Sequence, residues 1–283
     1  MSDELMSLDD ERTSISVSAP GAIGAIARSE VEAQLDAAHK YKRSVSRFLT
    51  EALSLATISQ EVAESCIYSL PRQGKMITGP SVRLAEICAS AYGNLHVGGR
   101  VLEEEDREIV AQGGAWDLEK NLRVTVEARR RITNRNGTRY NDDMITTTGN
   151  AAVSIALRNA ILRVIPRAYV DTIYAKVRLV AVGDAKTLGA RRVEILGRLG
   201  KIGVTTDRVL ARLGKAGSDD IGLDDLEVLI GLGTAIKNNE LPIDDAFPAP
   251  TAAPAAPADD GKRISLKPTP ATPPATREPG ADG

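Results

Sequence analysis

The chain has 283 residues, 42% of them hydrophobic, which is enough to bury a real core, and a net charge of −2. No apolar run approaches the roughly 18 residues that a membrane span needs, and the opening MSDELMSLDDERTS is acidic where a secretion signal is basic and then apolar. The two cysteines, Cys66 and Cys88, fall in predicted helices without metal-ligand spacing, and His39 and His96 lie far from them, so reduced core thiols in a cytosol and no metal site are expected.

Residues 1–24 carry little periodic apolar pattern and contain Pro20, Gly21 and Gly24, which predicts a disordered arm. Ser29 and Glu32 form a capping-box pattern that predicts one long helix through VEAQLDAAHKYKRSVSRFLTEALSLA. Thr57 and Gln60 form a second such pattern, for a helix ending before Pro71. Pro80 suits the first turn of a third helix, SVRLAEICASAY, which Gly93 closes.

Three strand-like runs follow, LHVGGRVLE, EIVAQGGAWDLE and RVTVEARRRI, with short connections at 103–106 and 117–121 that predict an antiparallel meander. In the last run Val124, Val126, Ala128, Arg130 and Ile132 alternate with Arg123, Thr125, Glu127, Arg129 and Arg131. Its outward face is expected to be basic. The EEED at 103–106 reads as a solvated turn, and Asn136-Gly137 as a further turn.

A long helix is predicted from near Asn150 to Pro166, with another through RAYVDTIYAKVR. On the first, Asn150, Ser154 and Arg158 form one polar stripe and Asn159, Arg163 and Arg167 another, so basic seams are expected to reach out from a largely buried helix. Residues 185–246 read as three short helices with Gly-containing turns, a small helical module. From 247 to 283 a Pro/Ala-rich tail is expected to stay disordered.

The low net charge hides an asymmetry, because residues 120–178 hold twelve Lys/Arg against four acids. A basic middle between acidic ends suits a nucleic-acid surface, and equally an Arg-rich face for an acidic protein partner. Gly74-Lys75 invites comparison with a phosphate-binding loop, but Met76 stands where that motif needs Ser or Thr and its upstream glycine is missing. No nucleotide cofactor is expected. Arg72, Lys75 and the helix start at Ser81 remain able to hold one phosphate of a polymer. No nucleophile elbow, paired histidines or acidic metal cluster points to an enzyme. Aromatic residues are only 3% of the chain and absent from 123–132, so gripping a single strand falls to its sugar-phosphate backbone, which leaves base edges free to pair.

IYSLPRQGKMITGPSVRLAE, AWDLEKN and GNAAVSIALRNAILRVIP resemble segments of phage single-strand annealing recombinases of the RecT/Redβ superfamily. The stretch from 199 to 240 resembles the helical module that follows the core in many of them. The resemblance spans residues 60–180 and implies an α+β core at 25–180: a helix, a three-stranded antiparallel meander and a long basic helix. It implies ATP-independent annealing in a bacterial cytoplasm by a homo-oligomeric ring or filament, not covalent catalysis. Single-stranded DNA is the implied partner, with a phage exonuclease and the host single-strand binding protein beside it. Carried onto this chain, the DNA-binding residues are Arg158 and Arg163 on the groove helix. Asn159 departs from the family's adjacent basic pair, and Arg123, Arg129 and Arg131 are then expected to supply charge from the hairpin, with Arg72, Lys75 and Arg83 as phosphate contacts. A passive single-strand binder and a protein adaptor with an Arg-rich docking face are the alternatives.

Overall fold

Among the residues described by the computed structural model, 20–72, 75–134 and 136–249, the chain forms ten α-helices and two antiparallel sheets, an α+β arrangement. Helix α1 (Pro20–Lys40) begins inside the stretch that composition marks as an arm and runs straight through Ser29 and Glu32, which therefore open no helix. Residues 1–19 of that arm lie outside the described residues.

The long first helix expected from the sequence is interrupted at 41–44 because Arg43 turns inward. Its guanidinium donates to both carboxylate oxygens of Asp117 at 2.9 and 3.0 Å and to the carbonyls of Tyr92 and Gly93, and it stacks on the Tyr92 ring. Ser44 then caps α2 (Val45–Ala56) by accepting from the Arg47 amide.

The next helix, α3 (Gln60–Ser65), is short and is capped by Ser59. Thr57, the expected cap, bonds back to the Leu53 carbonyl at the end of α2. Where a helix was expected to reach Pro71, the chain forms β1 (Ile67–Arg72), paired antiparallel with β2 (Lys75–Pro80). A two-stranded sheet has only edges, so Pro71 removes no ladder bond that the fold depends on. Ser81 caps α4 (Val82–Tyr92) and ties it to α3 through its hydroxyl, which donates to the Ser65 carbonyl at 2.6 Å. Gly93 closes the helix at φ +66°, the left-handed region that glycine enters without a Cβ clash.

The meander forms as β3 (Leu95–Glu104), β4 (Glu108–Asp117) and β5 (Leu122–Arg131), with β4 central. Helix α5 (Asp142–Val164) crosses one face. It starts eight residues before the expected Asn150, where the Asn141 side chain accepts from the Met144 amide at 2.9 Å and Asp142 and Asp143 suit the positive end of the dipole. Ala152, Ala156 and Ala160 are fully buried on α5, and Gly99 and Gly113 lie opposite it.

Helix α6 (Arg167–Val182) follows, then α7 (Leu188–Lys201), α8 (Thr206–Leu213), α9 (Leu223–Lys237) and α10 (Ile243–Ala246), with a 3-10 turn at Ser218–Asp220. Buried Leu226, Leu229 and Leu232 of α9 belong to the same apolar cluster as Phe48, Leu84, Ile161 and Ile173 of the preceding helices. α9 also lies against β1, close enough that a Cβ on Gly231 would sit 2.3 Å from Ser69 Oγ. Phe247, where the disordered tail was expected to begin, is fully buried, and Arg208 donates to its carbonyl. An apolar ring that loses all its exposure belongs to the core, so the folded chain extends past that boundary. Residues 250–283 lie outside the described residues.

Candidate functional site

The alternation along β5 is as the sequence predicts: Arg123, Thr125, Glu127, Arg129 and Arg131 are exposed, while Val124, Val126, Ala128 and Arg130 are half-buried and Ile132 is buried beneath α5. Register then sorts the outer residues into rows across the three strands. His96, Trp116 and Arg123 form one row, Gly98, Gly114 and Thr125 the next, and Arg100, Gln112 and Glu127 the third. With α5 on the other face, this one is open. His96, Gly98 and Arg100 are exposed, and Gln112, Gly114 and Trp116 of the central strand are half-buried.

The face is not uniformly basic, which corrects the expectation from β5 alone. Beyond a bulge at Val101/Glu103, Glu103, Val110 and Arg129 share a row, and Arg131 faces Glu108. Arg129 pairs with Glu105 at 3.4 Å and Glu108 at 4.0 Å. Such exposed pairs hold an arginine weakly. Toward the opposite end Arg123, in the Trp116 row, and Arg100, two rows away beside Gln112 and Glu127, make no ion pair among the described residues, as Arg131 makes none. His96 Nδ1 lies 2.8 Å from Gln34 Oε1, which brings α1 to this same end.

The other expected contacts are spread over separate elements. Arg72 and Lys75 are exposed cross-strand partners at the tip of the β1–β2 hairpin, and Gly74 lies outside the described residues. The loop between them joins two strands, so the helix N-terminus that a nucleotide loop requires is absent behind it. Arg83 is exposed in the first turn of α4, pairs with Glu86 at 3.2 Å, and stands at the mouth of a cavity of about 520 Å³ with Arg198 and Lys237 over a floor of Ile195, Leu229 and Ile230. Arg163 is exposed in the last turn of α5.

Arg158 departs furthest from expectation, for it is 93% buried rather than part of an outward seam. Its guanidinium lies 4.2 Å from the centre of the Tyr68 ring on β1, and Nε donates to Asn159 Oδ1 at 3.2 Å. Nη1 faces the buried Glu240 carboxylate across 3.8 Å, and neither Nη1 nor Glu240 Oε2 has a hydrogen-bond partner. Arg130, on the inner face of β5, is within electrostatic reach of the same carboxylate. Burial holds its pKa below the usual guanidinium value, while Glu240 and Tyr140 act in the opposite sense. Glu240 escaped the sequence reading because it stands in a polar run, KNNEL, with no local signal that it turns inward.

Among the described residues no group of three or more His, Cys, Asp or Glu is placed to hold a metal ion, and no helix is long and apolar enough to cross a membrane. Compared with known proteins, the chain matches no family model, no curated protein and no solved structure.

Proposed function

We propose that this chain captures single-stranded DNA and accelerates the pairing of complementary strands without a nucleotide, as the phage RecT/Redβ recombinases that it resembles do. The observation that carries the reading is the open meander face at its Trp116 end. There Arg100 and Arg123, free of ion-pair partners among the described residues, flank a row of Gly98 and Gly114 whose missing side chains let another chain come close to the sheet surface. Guanidinium groups beside a bare strip suit a phosphodiester chain, because phosphate contacts position a strand without reading its bases. The coarse order of meander and then long helix is also the one the resemblance implies. On this reading the protein works as a homo-oligomer in a bacterial cytoplasm, alongside an exonuclease that exposes the strand and the host single-strand binding protein. Rate acceleration comes from local concentration and ordering rather than covalent chemistry.

Trp116 favours a second reading. An indole on the open face offers a stacking platform, and a protein that engages bases that way protects a strand without helping it pair. The deciding experiment is the pairing rate of two complementary labelled oligonucleotides, with and without protein, in nucleotide-free buffer across a salt series. Acceleration that fades with salt supports annealing. Binding without acceleration supports the passive reading, and no binding removes both.

A further inference from the structure

The buried arginines of this fold set their terminal nitrogens on oxygen. Arg43 donates to two carboxylate oxygens and two carbonyls, and Arg191 and Arg192, although each leaves a buried Nε without a partner, place Nη1 and Nη2 on carboxylates and carbonyls. Arg158 departs from that pattern at a terminal nitrogen. Although as buried as a core residue, it leaves Nη1 without a hydrogen-bond acceptor, pointed at a carboxylate too far away to bond it. A buried guanidinium ordinarily demands close, bidentate oxygen partners.

The side chain that supplies the carboxylate is lightly held, although the backbone of its turn is closed by the Glu240 and Leu241 amides, which donate to the Ala235 carbonyl at 2.9 and 3.3 Å. Glu240 follows the end of α9 through Asn239, a non-glycine residue at φ +56°. Its Oε1 accepts a single long bond from Asn238 Nδ2 at 3.4 Å, and its Oε2 accepts none. A carboxylate held loosely over Arg158, with Arg130 in electrostatic reach, has the charge and acceptor type of a phosphodiester oxygen but not its fit.

The geometry points to Arg158 as the cation of an internal anion site that Glu240 occupies as a stand-in, so that the 238–241 turn gates a phosphate-binding position of single-stranded DNA. This rests on the DNA-binding reading above and adds its regulation: the strand's phosphate displaces Glu240, and the turn after α9 swings away. In the closed form the site is masked, and apparent affinity is reduced by the fraction of molecules that are open. The device makes capture depend on the turn that follows α9.

The test compares full-length wild type, Glu240→Gln and Glu240→Gln/Arg158→Gln for binding to a labelled oligothymidine at fixed salt, with Asp219→Asn as an exposed control of equal charge change. If about one molecule in ten is open and Glu240→Gln frees the site, the variant tightens binding by about tenfold. The double variant returns to wild-type affinity, and Asp219→Asn changes little. An unchanged Glu240→Gln affinity, or a gain that persists without Arg158, overturns the gate while leaving DNA binding intact. Binding by no variant overturns the gate and the DNA reading together. Hydrogen exchange on the unmodified protein gives an independent measure that requires no substitution to fold. Amides of 238–247 lose protection when oligothymidine is added if the turn opens, and unchanged or greater protection in the bound state sinks the gate.

Discussion

Gly113 of β4 sits directly beneath Ala156 of α5, so close that a Cβ on the glycine would lie 2.3 Å from the Ala156 carbonyl carbon and from the Leu157 amide nitrogen. Those are backbone atoms in the middle of a long helix, and no rotamer change moves them aside. Gly113→Ala is therefore expected to lower stability by about 2–3 kcal/mol or more, the upper range for overpacking. Gly114→Ala, one residue along, places its methyl on the open face with only the Gly98 carbonyl near, at 3.8 Å, and should be neutral or slightly stabilising. Urea midpoints decide the matter. Equal midpoints for the two variants would show that α5 does not seat on the sheet at this point.

The same contact shows why some of the fold was legible in the sequence and some was not. The alternation of RVTVEARRRI and its two short connections carry their own pairing information, because a two-residue period with one buried face admits a single register. The β1–β2 hairpin carries none of this. CIYSLPR continues a helical reading of QEVAES, and what turns it into a strand is α9, more than 150 residues later, whose Gly231 accepts Ser69 at close range. The start of α5 was similarly hidden, since TTTG is poor helix sequence. It is helical because Gly149 lies against the Ile109 side chain and Ile145 packs with Ile109 and Ala111. For the candidate site, the outward Arg123, Arg129 and Arg131 follow from period alone. The carboxylates that dilute them arrive from neighbouring strands, and the burial of Arg158 depends on Glu240, which no local pattern ties to it.

Arg158→Ala can no longer be expected to spare the fold, as it would if the residue lined an open groove. It leaves the buried Glu240 carboxylate without its ion-pair partner and strips Tyr68 of its stacked partner. Breaking a buried pair from one side costs about 3–5 kcal/mol, and a drop of that size in chemical denaturation is the expected outcome. Arg158→Gln combined with Glu240→Gln removes both charges and should recover most of the loss. A single alanine variant as stable as wild type would mean that Arg158 is not enclosed.

The thiols offer a test through pH. Cys66 and Cys88 are fully inaccessible, and burial pushes each thiol pKa up to about 12 from its ordinary value near 9. In the unfolded chain the thiols ionise near their ordinary value. Below that pH both states are protonated and the contribution is constant; above it the unfolded state alone loses protons, so stability falls as pH rises from about 9 toward 12. Replacing both residues with alanine or serine should flatten that alkaline limb. At pH 8 the folded protein should resist a thiol reagent on the timescale at which denatured protein reacts fully. Rapid labelling of the native state would contradict the place of both cysteines in the main apolar core.

Trp116 is the single tryptophan of the chain and lies in the same row as Arg123 on the open sheet face, which makes it a built-in reporter for the proposed interface. Titration with oligothymidine should quench its emission, and added salt should reverse the quench. Arg123→Ala should shallow the dependence of log K on log[salt] by about 0.7, the slope for one phosphate contact on a single strand. Trp116→Phe keeps an aromatic face, so on the annealing reading it leaves the pairing rate unchanged, whereas a stacking platform makes affinity respond to Trp116→Ala by about 1–3 kcal/mol. Binding registered by fluorescence anisotropy of the labelled strand, with tryptophan emission unmoved, would place the DNA somewhere other than the meander. The hairpin tip at Arg72 and Lys75 would then be the next surface to mutate, because its two cations are cross-strand neighbours and neither has an ion-pair partner among the described residues.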